Sequence, residues 1–139
     1  MNEQPVAVIE CSRPWIRHIF DRKKTVEGKK GTGRWRSIAE GDIVRFRDNS
    51  PAGTPGKPVP DFEARVHKVV PYGFKPDEDP EMNPWAPLHN FLEGEGLAVT
   101  LPGVLYFRDA MAVYQGLWWA DEAVVREHGI LAFRIGVLH

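Results

Sequence analysis

Apolar and polar residues alternate along this chain in a way that predicts a small sheet with short helices between its strands. Alternating or β-branched runs predict strands at residues 6–9, 24–30, 43–46, 62–70 and 130–138. Apolar residues at helical spacing predict short helices at residues 15–22, 109–117 and 120–128, and one or two more between residues 88 and 101, broken at Gly94 and Gly96. Ser12 is the predicted N-cap of the first helix. A turn is predicted at residues 31–33 and irregular loops at residues 49–60 and 75–87. This order predicts an α+β fold, a curved sheet with flanking short helices.

The length of the chain, 139 residues, is typical of one domain, and no internal repeat is visible, so residues 1–139 are interpreted as a single domain. No apolar stretch approaches the roughly 18 residues that a transmembrane helix needs. The first five residues lack the basic and apolar regions of a signal peptide. The single cysteine, Cys11, has no internal disulfide partner. We therefore expect an intracellular, cytoplasmic protein that does not contact a membrane.

Charge is distributed unevenly, although the whole chain carries a formal charge of only −1. Residues 13–36 hold nine basic and two acidic residues, a net charge of +7, whereas residues 77–95 hold six acidic residues and no lysine or arginine. Trp15 and Trp35 lie within the basic segment, and aromatic rings among cations suit RNA. Two simpler interpretations stay open: the charged segments are solvated surfaces, and both tryptophans belong to the core.

Several kinds of chemistry have no sequence support. The chain has no Cys-x-x-Cys, His-Glu-x-x-His or clustered carboxylate motif, so neither a metal site nor a cofactor is expected. The glycines between residues 28 and 33 lack the order of a phosphate-binding loop, and no Gly-x-Ser-x-Gly elbow is present. These negatives direct attention to residues 12–36.

Within that segment, Lys24 and Glu27 are the candidate chemical pair. Strand alternation places Lys24 on one face and both Thr25 and Glu27 on the other, unless the chain bends at Lys24. A partly buried pair would matter functionally, because a desolvated lysine is able to act as a base or bind an anion. From residue types alone, we expect an exposed ion pair worth less than about 1 kcal/mol.

These residues, together with later ones, resemble the signature of the activating signal cointegrator homology (ASCH) domain. That signature is similar to Gly-x-Lys-x-x-Glu-x-Arg followed by a Gly-Asp strand; Arg22 stands here at the glycine position and Lys29 at the arginine position. The resemblance covers nearly the whole chain in the expected order. The matching residues include Ser12, Pro14, Trp15, Ile19, residues 24–29, Trp35, Ile38, residues 41–46, Phe91, Leu92, residues 95–97, residues 101–103, Tyr114, Gly129, Ile130, Ala132 and Ile135.

The resemblance implies a fold similar to the pseudouridine synthase and archaeosine transglycosylase (PUA) domain, a small β-barrel with flanking helices. It also implies that RNA or a nucleotide binds in a cleft near the first helix, so that Lys24→Ala or Lys29→Ala weakens binding with little loss of stability. Phosphates would meet cations of the cleft, and a base would stack on an aromatic ring. The binding residues expected on this basis are Ser12, Trp15, Lys24, Thr25, Glu27, Lys29, Lys30, Arg34, Trp35 and Tyr72.

Some small ASCH proteins are amidohydrolases that act on N4-acetylcytidine, and others have been proposed to be ribonucleases. The resemblance makes Lys24 the base and Glu95, kept protonated by apolar neighbours, the proton donor. Glu27 occupies the nucleophile position, and a carboxylate is a poor nucleophile for amide cleavage. Binding therefore ranks ahead of hydrolysis, and we expect little release of cytidine from N4-acetylcytidine. A third hypothesis is a protein-interaction domain that uses Trp118 and Trp119, although we expect one in the core and one at its edge.

Overall fold

The computed structural model describes residues 4–139, which form one five-stranded mixed sheet surrounded by short helices. The strands are β1 (Pro5–Cys11), β2 (Val26–Lys30), β3 (Ile43–Asp48), β4 (Phe62–Tyr72) and β5 (Ile130–Val137). The helices are α1 (Trp15–Phe20), α2 (Gly33–Arg36), α3 (Ala86–Glu95), α4 (Leu97–Thr100), α5 (Phe107–Leu117) and α6 (Glu122–His128). This arrangement confirms the predicted α+β class. Among residues 4–139, no helix has the length and apolar character needed to cross a membrane.

The strand order in the sheet is β1-β3-β4-β5-β2, so β1 and β2 are its two edges. β1 runs parallel to β3, and the other neighbouring strands are antiparallel. β4 is long enough to pair with β3 through its first residues and with β5 along most of its length. A register irregularity between Val66 and Lys68 adds local twist to β4. The sheet is curved and open, and is not a closed barrel.

β5 is buried on both faces and therefore divides the core in two. Leu131, Phe133 and Ile135 pack into a cluster with α1 and strands β1, β3 and β4. Ile130 and Ala132 face the opposite way, into a cluster with α3, α5 and α6. Successive side chains of β5 thus enter different clusters, and this explains why the sequence of β5 is a nearly continuous apolar run.

Helix α1 begins where predicted but differs from its prediction in its cap and at its C-terminal end. Ser12 does not cap it through its side chain; its carbonyl oxygen accepts the Ile16 N–H at 3.0 Å, and the helix begins at Trp15. The helix ends at Phe20 because Arg22 adopts a φ of 66°, and the N–H groups of both Lys23 and Lys24 then bond to the His18 carbonyl oxygen. This reversal sets the direction in which the chain enters β2.

Two further elements differ from the sequence predictions. The segment predicted as a turn leads directly into α2, a single helical turn. Gly96, with a φ of 92°, separates α3 from α4, whereas Gly94 lies inside α3 and does not break it. The two predicted loops, at residues 49–60 and before α3, are irregular in the structure.

Candidate functional site

A cavity of about 190 Å³ lies between the two edge strands of the sheet. Residues 10–12 line it from the end of β1, and residues 27–29 line it from β2. The C-terminal half of α5 and Trp118 form a further wall, and Trp15 of α1 completes it. Since β1 and β2 are at opposite edges of the sheet, the curvature of the sheet brings them together around this cavity. The site therefore depends on the whole sheet and not on one loop.

Lys24 lies on the floor of the cavity and is only 2% exposed. Its Nζ donates to the carbonyl oxygens of Val26 at 2.6 Å and Thr100 at 2.5 Å, and it lies 3.8 Å from Oε1 of Glu27. Nζ thus has two hydrogen-bond acceptors and one carboxylate nearby as its charge partner. The prediction of an exposed ion pair is wrong, because the reversal at Arg22 turns Lys24 inward just before the strand begins.

Glu27 provides the main negative charge of the cavity. It is 5% exposed, and its Oε1 accepts the Gly28 N–H at 3.0 Å. Burial raises the pKa of the Cys11 thiol, and the Glu27 carboxylate raises it further. Burial and the same carboxylate also hold the pKa of Tyr114 well above its usual range. Both groups are therefore neutral, and the cavity contains one buried ion pair.

Burial and the Glu27 carboxylate also act on the pKa of Lys24. Burial lowers the pKa of Lys24, and the Glu27 carboxylate opposes this shift. The two carbonyl acceptors and the nearby Glu27 carboxylate all favour the positively charged ammonium form. An ammonium in this arrangement holds Glu27 in place and has no lone pair with which to accept a proton.

Aromatic rings form the walls of the cavity. The rings of Tyr114 and Trp118 are 5.0 Å apart, and the half-buried Trp15 also lines the cavity. Lys30, expected at the site, instead pairs with Asp121 and lies 6.0 Å from the Trp118 ring centre, behind this wall. Trp118 is buried, as we expected of one of the two tryptophans, whereas Trp119 is 79% exposed.

A second depression adjoins the cavity and contains three of the predicted residues. Nζ of Lys29 lies 5.2 Å, and the guanidinium carbon of Arg34 lies 4.6 Å, from the centre of the Trp35 ring. All three line this depression. Lys29 also lines the cavity, so it contributes to both the cavity and the second depression.

Three of the predicted residues lie elsewhere. Thr25 and Glu95 line a separate depression, next to Arg134. Glu95 accepts two bonds from the Arg134 guanidinium, at 2.8 and 2.9 Å, and a third from the Tyr72 hydroxyl. Neither Tyr72 nor Glu95 lines the cavity that holds Lys24 and Glu27.

The hydrolytic role requires a protonated Glu95, and the surroundings of Glu95 oppose protonation. The bonds from Arg134 lower the pKa of Glu95, although burial opposes them. Burial and the Glu95 carboxylate raise the pKa of Tyr72 to about 12. Apolar neighbours favour the protonated form of Glu95, but the bonds from Arg134, which lies 39 residues away in the sequence, have the larger effect on its pKa.

Sequence reasoning missed several residues that line the site. Glu10 and Asn49 border both the cavity and the second depression, and Arg47 lines the second depression. Glu10 and Arg47 are partners in the parallel pairing of β1 with β3. The alternation of each strand predicts which of its residues share a face, but nothing in the sequence specified that these two strands are neighbours.

Two solved structures have this fold. The crystal structure of the hypothetical protein PH0355 matches with a TM-score of 0.70 and 23% identity, over 95% of this chain and 98% of that one. The solution structure of protein PF0455 from Pyrococcus furiosus matches with a TM-score of 0.64 and 21% identity, over 98% of this chain and 99% of that one. No protein-family model matches the chain, and no curated protein is significantly similar in sequence. The chain therefore shares its α+β fold with PH0355 and PF0455 over nearly its whole length.

Proposed function

We propose that this chain is an ASCH-like module that binds RNA or a free nucleotide, with one base inserted in the cavity between β1 and β2. The observation that carries the proposal is the cavity itself: about 190 Å³, aromatic walls and one buried ion pair at the floor. A cavity of about 150 Å³ holds benzene, so this volume suits a single pyrimidine-sized ring. The near-neutral chain and its single cysteine agree with the cytoplasm as the proposed location.

The backbone at Arg22 supports the ASCH part of the proposal. Its φ of 66° lies in the region that glycine adopts without cost, and the ASCH signature has glycine at this position. Arginine here takes the same backbone conformation. The turn that directs Lys24 inward is therefore one for which the glycine of the signature is suited.

In the proposed complex, the groups of the cavity have distinct roles. Glu27 accepts a hydrogen bond from an exocyclic amine, as carboxylates do from cytosine. Lys24 fixes the position of the Glu27 carboxylate. Trp15 stacks on the base at the mouth of the cavity, since unpaired bases stack on aromatic side chains.

The experiment titrates the protein with cytidine monophosphate and with short single-stranded RNA, and measures binding by calorimetry at several salt concentrations. We expect binding that weakens as salt rises. Trp15→Ala is expected to weaken binding by about tenfold, because base stacking contributes about 1–3 kcal/mol. Trp119→Ala is the matched control, since Trp119 is exposed and does not line the cavity. Absence of binding, or an equal effect of both variants, would contradict the proposal.

Deacetylation of N4-acetylcytidine is the alternative activity implied by the resemblance. It requires Lys24 as a base and Glu95 as a proton donor at one substrate, but Glu95 is bound to Arg134 in a separate depression. We therefore expect no cytidine to be released when the protein is incubated with this nucleoside and the products are separated by chromatography. Turnover that is lost in Glu95→Gln would place hydrolysis ahead of binding.

A further inference from the structure

The cavity and the second depression adjoin each other. They share three lining residues, Glu10, Lys29 and Asn49. A group at the mouth of the cavity therefore lies at the border of the second depression. The two differ in chemistry, because the cavity is aromatic with a satisfied ion pair and the second depression is rich in cations.

Lys29 and Arg34 are cations without an ion-pair partner between residues 4 and 139; each instead lies over the ring of Trp35. Other basic residues of the same segment use their charges internally. Lys24 binds two carbonyl groups, and Arg36 donates to the carbonyl oxygens of Gly31 and His128. The charge of Lys29 and Arg34 is thus available to a ligand.

Arg47 and Glu10 have smaller roles in this depression. Arg47 is held by Asp61 at 3.0 Å, so its charge is largely balanced within the protein. Glu10 is the register partner of Arg47 across β1 and β3, and its carboxylate interacts with the same guanidinium. Arg47, Asp61 and Glu10 together carry a charge of −1, so with Lys29 and Arg34 the net charge here is +1.

We propose that the ligand is recognised by a ribose-linked phosphate that binds in the second depression between Lys29 and Arg34. This inference rests on the proposed function, since it takes the base to occupy the cavity. In a nucleotide, one ribose joins the base to the phosphate, so the two groups lie close together. Lys29 lines both the cavity and the second depression, so a base in the first places its phosphate near the second. Lysine and arginine are the side chains that most often bind phosphate.

The test compares four ligands by calorimetry at one salt concentration: cytidine, cytidine 5′-monophosphate, cytidine 3′-monophosphate and the dinucleotide of two cytidines. We expect at least one monophosphate to bind about tenfold or more tightly than cytidine, because charge-assisted bonds are stronger than neutral ones. Tighter binding of the dinucleotide than of either monophosphate would identify RNA as the source of the phosphate, and the reverse order would identify a free nucleotide.

Two variants locate the phosphate. Arg34→Gln is expected to reduce the preference for the monophosphate over cytidine to less than about threefold, with cytidine affinity unchanged. Lys29→Gln is expected to reduce the same preference, and because Lys29 also lines the cavity, only the ratio of the two affinities is compared for this variant. Arg108→Gln removes the same charge from an 87% exposed side chain on α5 and is expected to retain the full preference. Circular dichroism checks that each variant is folded.

The outcomes separate this inference from the proposed function. If cytidine binds as tightly as its monophosphates, the phosphate inference is wrong and base binding stands. If the preference survives in both Arg34→Gln and Lys29→Gln, the phosphate binds elsewhere and the inference is also wrong. If neither cytidine nor any phosphorylated ligand binds, the proposed function fails and the inference fails with it.

Discussion

At the scale of single residues, Lys24 combines a cost in free energy with a structural role. Burying an ammonium group costs several kcal/mol, and only close, complete pairing offsets this cost. Lys24 has such pairing, with Glu27 and with the carbonyl groups of Val26 and Thr100. The residue thus links the start of β2 to the end of α4, in addition to any role in binding.

The first prediction at this scale concerns stability. Lys24→Ala leaves Glu27 buried without its partner, so we expect a loss of about 3–5 kcal/mol in the free energy of unfolding, measured with urea. This differs from the expectation, drawn from the sequence, that Lys24→Ala costs little stability. The double variant Lys24→Met with Glu27→Leu removes both charges and is expected to regain a large part of the loss. A loss of under about 1 kcal/mol in Lys24→Ala would show that the pair is dispensable.

At the scale of elements, β2 and α3 approach each other closely at Gly28. A Cβ atom on Gly28 would lie 2.7 Å from Cζ of Phe91, a ring that is fully buried. Phe91 in turn packs edge-on against Tyr114, which forms part of the cavity wall. The contact between strand and helix therefore supports the site from behind.

The second prediction follows from this contact. Gly28→Ala forces Phe91 or β2 to move, so we expect a loss of about 1–3 kcal/mol in the free energy of unfolding and weaker nucleotide binding. Gly33→Ala is the matched control, because a Cβ atom there meets no atom within 4 Å. The control is expected to change stability by less than about 1 kcal/mol in either direction. Equal stability of the two variants, measured by urea unfolding, would contradict the argument.

At the scale of the whole molecule, local patterns in the sequence predict the elements but not their arrangement. All five predicted strands are present, because alternation and β-branching depend on neighbouring residues only. The meeting of β1 with β2 is not predictable in this way, since it results from the curvature of a sheet whose order is β1-β3-β4-β5-β2. The same limit explains the missed lining residues Glu10, Arg47 and Asn49.

The residues of the candidate site were also predictable only in part. The resemblance selects Trp15, Lys24, Glu27 and Lys29, which the structure brings to one cavity. It also selects Glu95, which binds a distant arginine instead. Alternation failed for Lys24 because it assumes an extended chain, and a positive φ at an arginine has no sequence signal.

The open edge of the sheet has a consequence for the energetics of binding. Edge strands generally open more easily than central ones, and here the two edges are separated by the cavity. In the proposed complex, a base between them contacts β1 and β2 at once and bridges the two edges of the open sheet. Binding and folding would then be linked by mass action, so we expect the occupied protein to resist unfolding more strongly than the free one.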